Sequence, residues 1–213
     1  VKAALSKASG EYYYITEGEN LLTRDLLRKM LRRAQEKRAD LCIADTLWRT
    51  SGRERKYIPY EEIRNRDLCF EGKGAFGRFV EQRGYDPLWE SYDNKLIRRE
   101  ALEGALEAAE SFANRGHEGA ERLALMFALF ACANGTVNCH NVYSCRRGKP
   151  MQRVGMEGDS AAALKAMREC FDFAAGICAG IGENHDEALK EWQNVYRTEL
   201  CGAPGNSGMH AEA

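Results

Sequence analysis

The chain is poor in net charge, in long apolar runs and in closely spaced cysteines, and each shortage removes a class of protein. Its 31 lysines and arginines stand against 32 aspartates and glutamates, leaving a formal net charge of −1. A general nucleic-acid binder carries a basic surplus, so no nucleic acid is expected as a partner and only local basic patches are left open. The longest stretch without Asp, Glu, Lys or Arg runs from Leu123 to Cys145, but Asn134, Gly135, Thr136, Asn138, His140 and Asn141 interrupt it. Its wholly apolar part ends at Ala133, about half of the roughly 20 residues a bilayer core requires, so no membrane span is expected. Nor does the chain open with a cationic segment followed by an apolar one. No secretory signal is read, and a cytoplasmic location is expected. The eight cysteines include no CxxC pair. Cys132, Cys139, His140 and Cys145 lack the short ligand pairs of a structural zinc site, and reduced thiols are the expectation.

What is present describes a globular α/β protein. With 213 residues, 44% apolar and 30% charged, the chain can bury roughly 70% of its unfolded surface and needs no disulfide or metal to fold. Tyr12-Tyr13-Tyr14-Ile15-Thr16, aromatic and β-branched after Gly10, reads as a buried strand. A helix follows over 24–38, with Leu27, Met30, Leu31 and Ala34 at helical spacing and Thr23 as its cap. Asp40 to Asp45 reads as a second strand, so the first fifty residues form strand, helix, strand, the unit of a parallel sheet. Further on, Asn94 to Arg98 reads as a short strand, 100–112 as a helix, 118–133 as a buried helix and 136–146 as a strand. Beyond Gly148-Lys149-Pro150, two amphipathic helices are striped by Leu164, Met167, Phe171, Ala174, Cys178 and Ile181, and by Leu189, Trp192, Tyr196 and Leu200. Together they predict a helical hairpin. The expected organisation is an α/β region over 1–148, the hairpin over 149–201, and a disordered tail over 202–213.

Three features carry possible chemistry. Glu17-Gly18-Glu19, just past the first strand, places two carboxylates where one cation could meet both, and oxygen ligands suit Mg²⁺ or Mn²⁺; a solvated acidic turn is the bland alternative. Gly72-Lys73-Gly74-Ala75-Phe76-Gly77 fits G-x-G-x-x-G, but with no strong strand before it the segment reads as a flexible loop. The helix over 24–38 holds seven basic residues against two acidic ones. This is a solvated face or one drawn to an anionic membrane surface.

Four segments, in order, resemble the family-2 glycosyltransferases of GT-A fold. Gly10 to Leu22 is similar to that family's G-E-Y-[apolar]-D-x-D segment, and Ala39-Asp40-Leu41-Cys42-Ile43 to its A-D-[apolar] strand. Asn94-Lys95-Leu96-Ile97-Arg98-Arg99-Glu100 resembles its N-K-L-x-R-R-E, and Tyr143 to Arg147 stands where the family often ends in Y-x-Y-R. The resemblance covers about residues 1–148. It implies a GT-A-like sheet with flanking helices and transfer of a sugar, with inversion, from a nucleotide-diphosphate donor to a carbohydrate or lipid-linked hydroxyl acceptor, as in cell-envelope polysaccharide synthesis. It also implies Glu17 and Glu19 as ligands of Mg²⁺ or Mn²⁺, Glu121 as catalytic base, and Trp89, Tyr92, Asn94, Lys95, His117 and Arg146 on the acceptor side. Where the family shows Asp, this chain shows Glu or another residue; Asn20 replaces a carboxylate, and Ala120-Glu121 stands where the family usually shows Glu-Asp. A degenerate module that keeps the fold for binding or assembly is therefore the alternative. The family's nucleotide-binding first half is not matched, and Val1 stands in place of an initiator Met. The expectation is a carboxyl-terminal fragment whose first strand pairs with a companion segment or a second copy.

Overall fold

Along Leu41-Cys42-Ile43-Ala44 successive side chains leave a strand on opposite sides, and both sides are buried. A sheet sits between two layers of helix. The computed structural model describes residues 5–16, 21–50, 53–57, 69–72, 74–81, 92, 94–112, 117–147 and 160–200. Seven strands, β1 (Tyr12–Tyr14), β2 (Leu21–Leu22), β3 (Leu41–Thr50), β4 (Arg53–Tyr57), β5 (Cys69–Glu71), β6 (Lys95–Arg98) and β7 (Gly135–Arg147), make one mixed sheet. Its order is β1-β6-β3-β7-β2, with β4 also on β3 and β5 also on β7. β3 and β7 run parallel from Leu41 opposite Thr136, and their register shifts where consecutive Ala44 and Asp45 face Cys139 and Tyr143.

β6 is antiparallel to both β1 and β3. The strands on either side of the first helix thus point the same way, as their strand–helix–strand order predicts, but they are not neighbours, because β6 is inserted between them. Burial of the first strand needs correction as well. Tyr12, Tyr13 and Tyr14 are only half-buried, since β1 pairs with β6 on one side and, among the described residues, with no strand on the other.

Helix α1 (Leu26–Glu36) lays Leu26, Met30 and Ala34 on Cys42, Ala44, Leu96, Val137 and Cys139. The opposite face, through Leu41, Ile43 and Ile97, meets a larger core. That core is built by α2 (Gly74–Glu81), α3 (Arg99–Ala108), α4 (Glu118–Cys132), α5 (Ser160–Ile181) and α6 (Asp186–Leu200). Every residue of α4 from Leu123 to Phe130 is buried, as its all-round apolar character requires. Two local expectations fail. Asp25, not Thr23, precedes the first turn of α1, and it makes no side-chain cap bond; its carboxylate accepts instead from Arg28 Nη2 at 2.7 Å. The glycine-rich stretch is no loop. Strand β5 leads into α2, where Ala75, Phe76, Phe79 and Val80 recur at helical spacing and are buried.

The helical hairpin is held by aromatic rings. Trp192, fully buried, lies 5.2–5.7 Å, centroid to centroid, from Phe79, Phe127 and Phe171. One ring thus joins α2, α4, α5 and α6. Nearby, the turn between α5 and α6 presses on α2. A Cβ at Gly77 would stand 3.0 Å from His185 Nε2 and 3.1 Å from Glu183 Oε2, and those two atoms are themselves 2.8 Å apart. Truncating Trp192 to Ala should cost about 3–5 kcal/mol, measured as a lower urea midpoint. A loss below about 1 kcal/mol would show that the rings do not anchor the hairpin.

Candidate functional site

Two elements carry the described part of the candidate site: the approach to β6 and the first turn of α4. Lys95 opens β6, and Asn94 just before it clamps the middle of β3. Asn94 Nδ2 donates to the Ala44 carbonyl at 2.9 Å, and the Ala44 N–H donates to the Asn94 carbonyl at 2.9 Å. Lys95 Nζ donates to Asn94 Oδ1 at 3.0 Å, and its N–H donates to the Tyr92 carbonyl at 3.2 Å. Asn94 and Lys95 are buried, as is Asp45 next to Ala44. The buried Lys95 amine thus has an oxygen acceptor inside the fold, as a buried donor requires.

Tyr92 brings the second element in. The Arg122 guanidinium lies 5.3 Å from the centre of its ring while donating to Glu118 Oε1 at 2.8 Å. Arg122 directly follows Glu121, which is half-buried in the first turn of α4. His117 caps that turn: the Ala120 N–H donates to His117 Nδ1 at 3.2 Å, and the Glu121 N–H to the His117 carbonyl at 3.1 Å. With Nδ1 accepting, the ring proton belongs on Nε2. Nε2 is buried and meets no hydrogen-bond partner among the described residues.

Of the residues singled out from sequence, Tyr92 thus lies against Arg122 in the helix that bears Glu121 and is capped by His117, while Asn94 and Lys95 are tied to Ala44 of β3 and to Tyr92. Arg146 lies in β7 opposite Trp48 of β3. Glu17, Glu19 and Trp89 lie outside the described residues. Among those described, no three His, Cys, Asp or Glu side chains are assembled as a metal site, and Cys42, Cys69, Cys132, Cys139, Cys170 and Cys178 are free thiols. Sequence reasoning missed Asp45 and Arg122. An alternation count marks Asp45 only as the end of a strand, and Arg122 gives no signal until Tyr92 is found against it.

The segments that carry the resemblance also bond to one another. Arg98 reaches Glu11 at 3.2 Å and Asp40 at 3.7 Å. Arg99 donates to the carbonyls of Gly10 and Ala8 and stacks on Tyr13, 4.9 Å from its ring centre. Asp40 Oδ2 accepts from the Asn134 N–H at 2.9 Å. Tyr12 donates to the Ala39 carbonyl at 3.1 Å. Burial pushes its phenol above the usual value near 10, against the opposing pull of Arg98.

A mixed sheet with helices on both faces and this strand order is a glycosyltransferase-like α/β fold, consistent with GT-A. A solved structure with the same arrangement is residues 1–349 of TarS from S. aureus in complex with UDP-GlcNAc. The two superpose with a TM-score of 0.61 at 12% identity, covering 92% of this chain and 51% of that one. The chain therefore spans about half the length of the solved structure it matches. No protein-family model matches it, and no curated protein does.

Two outcomes follow. His117→Ala, which removes the cap of α4, should lower stability by about 1 kcal/mol while His117→Asn recovers most of it; equal melting temperatures for all three chains would contradict the capping role. A phenol with a raised folded pKa contributes stability below pH 10 that is lost as pH climbs toward the folded value. Urea midpoints should fall above about pH 10, and those of Tyr12→Phe should fall less, so the two curves converge. Parallel curves would refute the assignment.

Proposed function

We propose that the chain is a family-2-like glycosyltransferase, or the metal- and acceptor-binding half of one, acting on a nucleotide-diphosphate sugar. The reading is carried by one observation: the Tyr92 ring, whose carbonyl accepts from the Lys95 N–H, lies against Arg122, the neighbour of Glu121 on α4. The fold shared with TarS, which was solved with UDP-GlcNAc, supports a donor of that class. Glu121 takes the acceptor proton while the hydroxyl oxygen bonds to the anomeric carbon and the bond from that carbon to the diphosphate breaks, with inversion. Glu17 and Glu19 are the ligands for Mg²⁺ or Mn²⁺, on the chemistry of paired carboxylates. Bound there, the cation supplies neutralisation of the charge on the departing diphosphate. Tyr92, Trp89, His117 and Arg146 serve acceptor binding, and the buried Asn94 and Lys95 hold that side in register. The edge of β1 that meets no strand among the described residues is where a second copy or a companion segment adds strands.

A degenerate binding module is the second reading, favoured by Asn20 and Ala120 standing where the family carries acids. Calorimetry separates the two. Metal-dependent binding of UDP at millimolar strength or tighter, lost in Glu19→Ala, is the expected result. Glu121→Gln should keep that binding and lose about 10²-fold or more of sugar transfer. Absence of any heat with Mn²⁺ and UDP would leave the module reading.

A further inference from the structure

Among the described residues, the large apolar side chains left exposed are Leu22, Leu27 and Leu31, at 41%, 42% and 37%. Scattered exposed leucines need no explanation, but these three fall within ten consecutive positions. Leu27 and Leu31 are neighbours one turn apart on α1, and Leu22 ends β2 just before the turn that starts the helix. The adjoining flank of α1 already serves the core through Leu26, Met30 and Ala34. The helix therefore has an apolar band wider than the sheet can cover.

Cations border that band. At 3.6 residues per turn, Arg28 and Arg32 come next round the helix after Leu27 and Leu31, and Arg24 lies in the turn that leads into it. Residues 22–38 carry seven basic side chains and two acidic ones in a chain of net charge −1, so the remainder is acidic. Arg28 reaches Asp25 at 2.7 Å and Arg32 reaches Glu36 at 3.4 Å, but their side chains are 79% and 78% exposed. Ion pairs so open to water are weak and leave both arginines able to meet other anions. A nucleic acid would use the cations and leave the leucines wet; single strands are gripped by stacking aromatics, and α1 has none. A bilayer surface uses both, with leucines at the acyl boundary and arginines among the phosphates.

We infer that α1, with the end of β2, is a docking surface for an anionic lipid bilayer. The inference stands apart from the sugar-transfer reading and survives its failure. Each cation near an anionic surface strengthens binding roughly fivefold, and salt screens the effect. The test is sedimentation of the 213-residue chain with vesicles of phosphatidylcholine, with and without phosphatidylglycerol. Partition should be at least about tenfold stronger with the anionic lipid, fall at high salt, and drop about tenfold or more in the Arg28→Glu/Arg32→Glu double variant. Leu27→Ser/Leu31→Ser should weaken it several-fold at unchanged charge, with melting temperature unchanged. Leu27→Trp gives an independent reading, since its fluorescence should be quenched by brominated acyl chains. Equal partition into both vesicles, none into either, or no loss on removing the leucines overturns the proposal. So does binding of RNA, or a leucine-dependent dimer, without vesicle partition.

Discussion

An antiparallel strand placed between two strands that run the other way must be pinned at both ends, or its register can slip and exchange its faces. β6 has four residues in which to do this. At its start, the side chain and backbone of Asn94 both bond to Ala44 of β3. At its end, the Arg98 N–H donates to the Asp40 carbonyl at 2.7 Å, and the Arg98 guanidinium reaches Asp40, Glu11 and Glu100. The rest hangs on this strand. It carries β1 on its outer edge, passes directly into α3, and fixes Tyr92 against the N-terminal turn of α4.

Much of what makes the sequence resemble a known family turns out to be this same pinning. The G-E-Y, A-D and N-K-L-x-R-R-E segments contribute Gly10, Glu11, Asp40, Asn94, Arg98 and Arg99, and each has a bonding partner in another of those segments or a strand beside it. A resemblance resting on such residues reports architecture strongly and chemistry only indirectly. It explains how a fold can be read from a sequence that shares 12% identity with a solved relative of that fold. Site chemistry depends on a few acids whose neighbours are distant in the chain.

Legibility followed the physics of each element. The helices over 118–132, 160–181 and 186–200 were visible because each repeats apolar residues over many turns, and their ends fall within two residues of the expected ones where both were given. β4 was not visible: Arg53-Glu54-Arg55-Lys56-Tyr57 has no apolar face and becomes a strand only by pairing with β3. α2 was misread because three glycines suggested a break, whereas four buried apolar residues outweigh them once α4 and α6 supply a surface. The insertion of β6 between β1 and β3 had no local signal. It arises from pairing of β6 with segments more than fifty and more than eighty residues before it, which no periodicity records.

The contact at Gly77 ties the composition of one helix to a turn more than a hundred residues later. His185 and Glu183 occupy the volume where any side chain on residue 77 would begin. Bulk at the first place is therefore admissible only with bulk surrendered at the second. Among related chains these positions should vary together, a large residue at 77 accompanying a small one at 185, and shuffling either segment alone between relatives should yield misfitted hybrids.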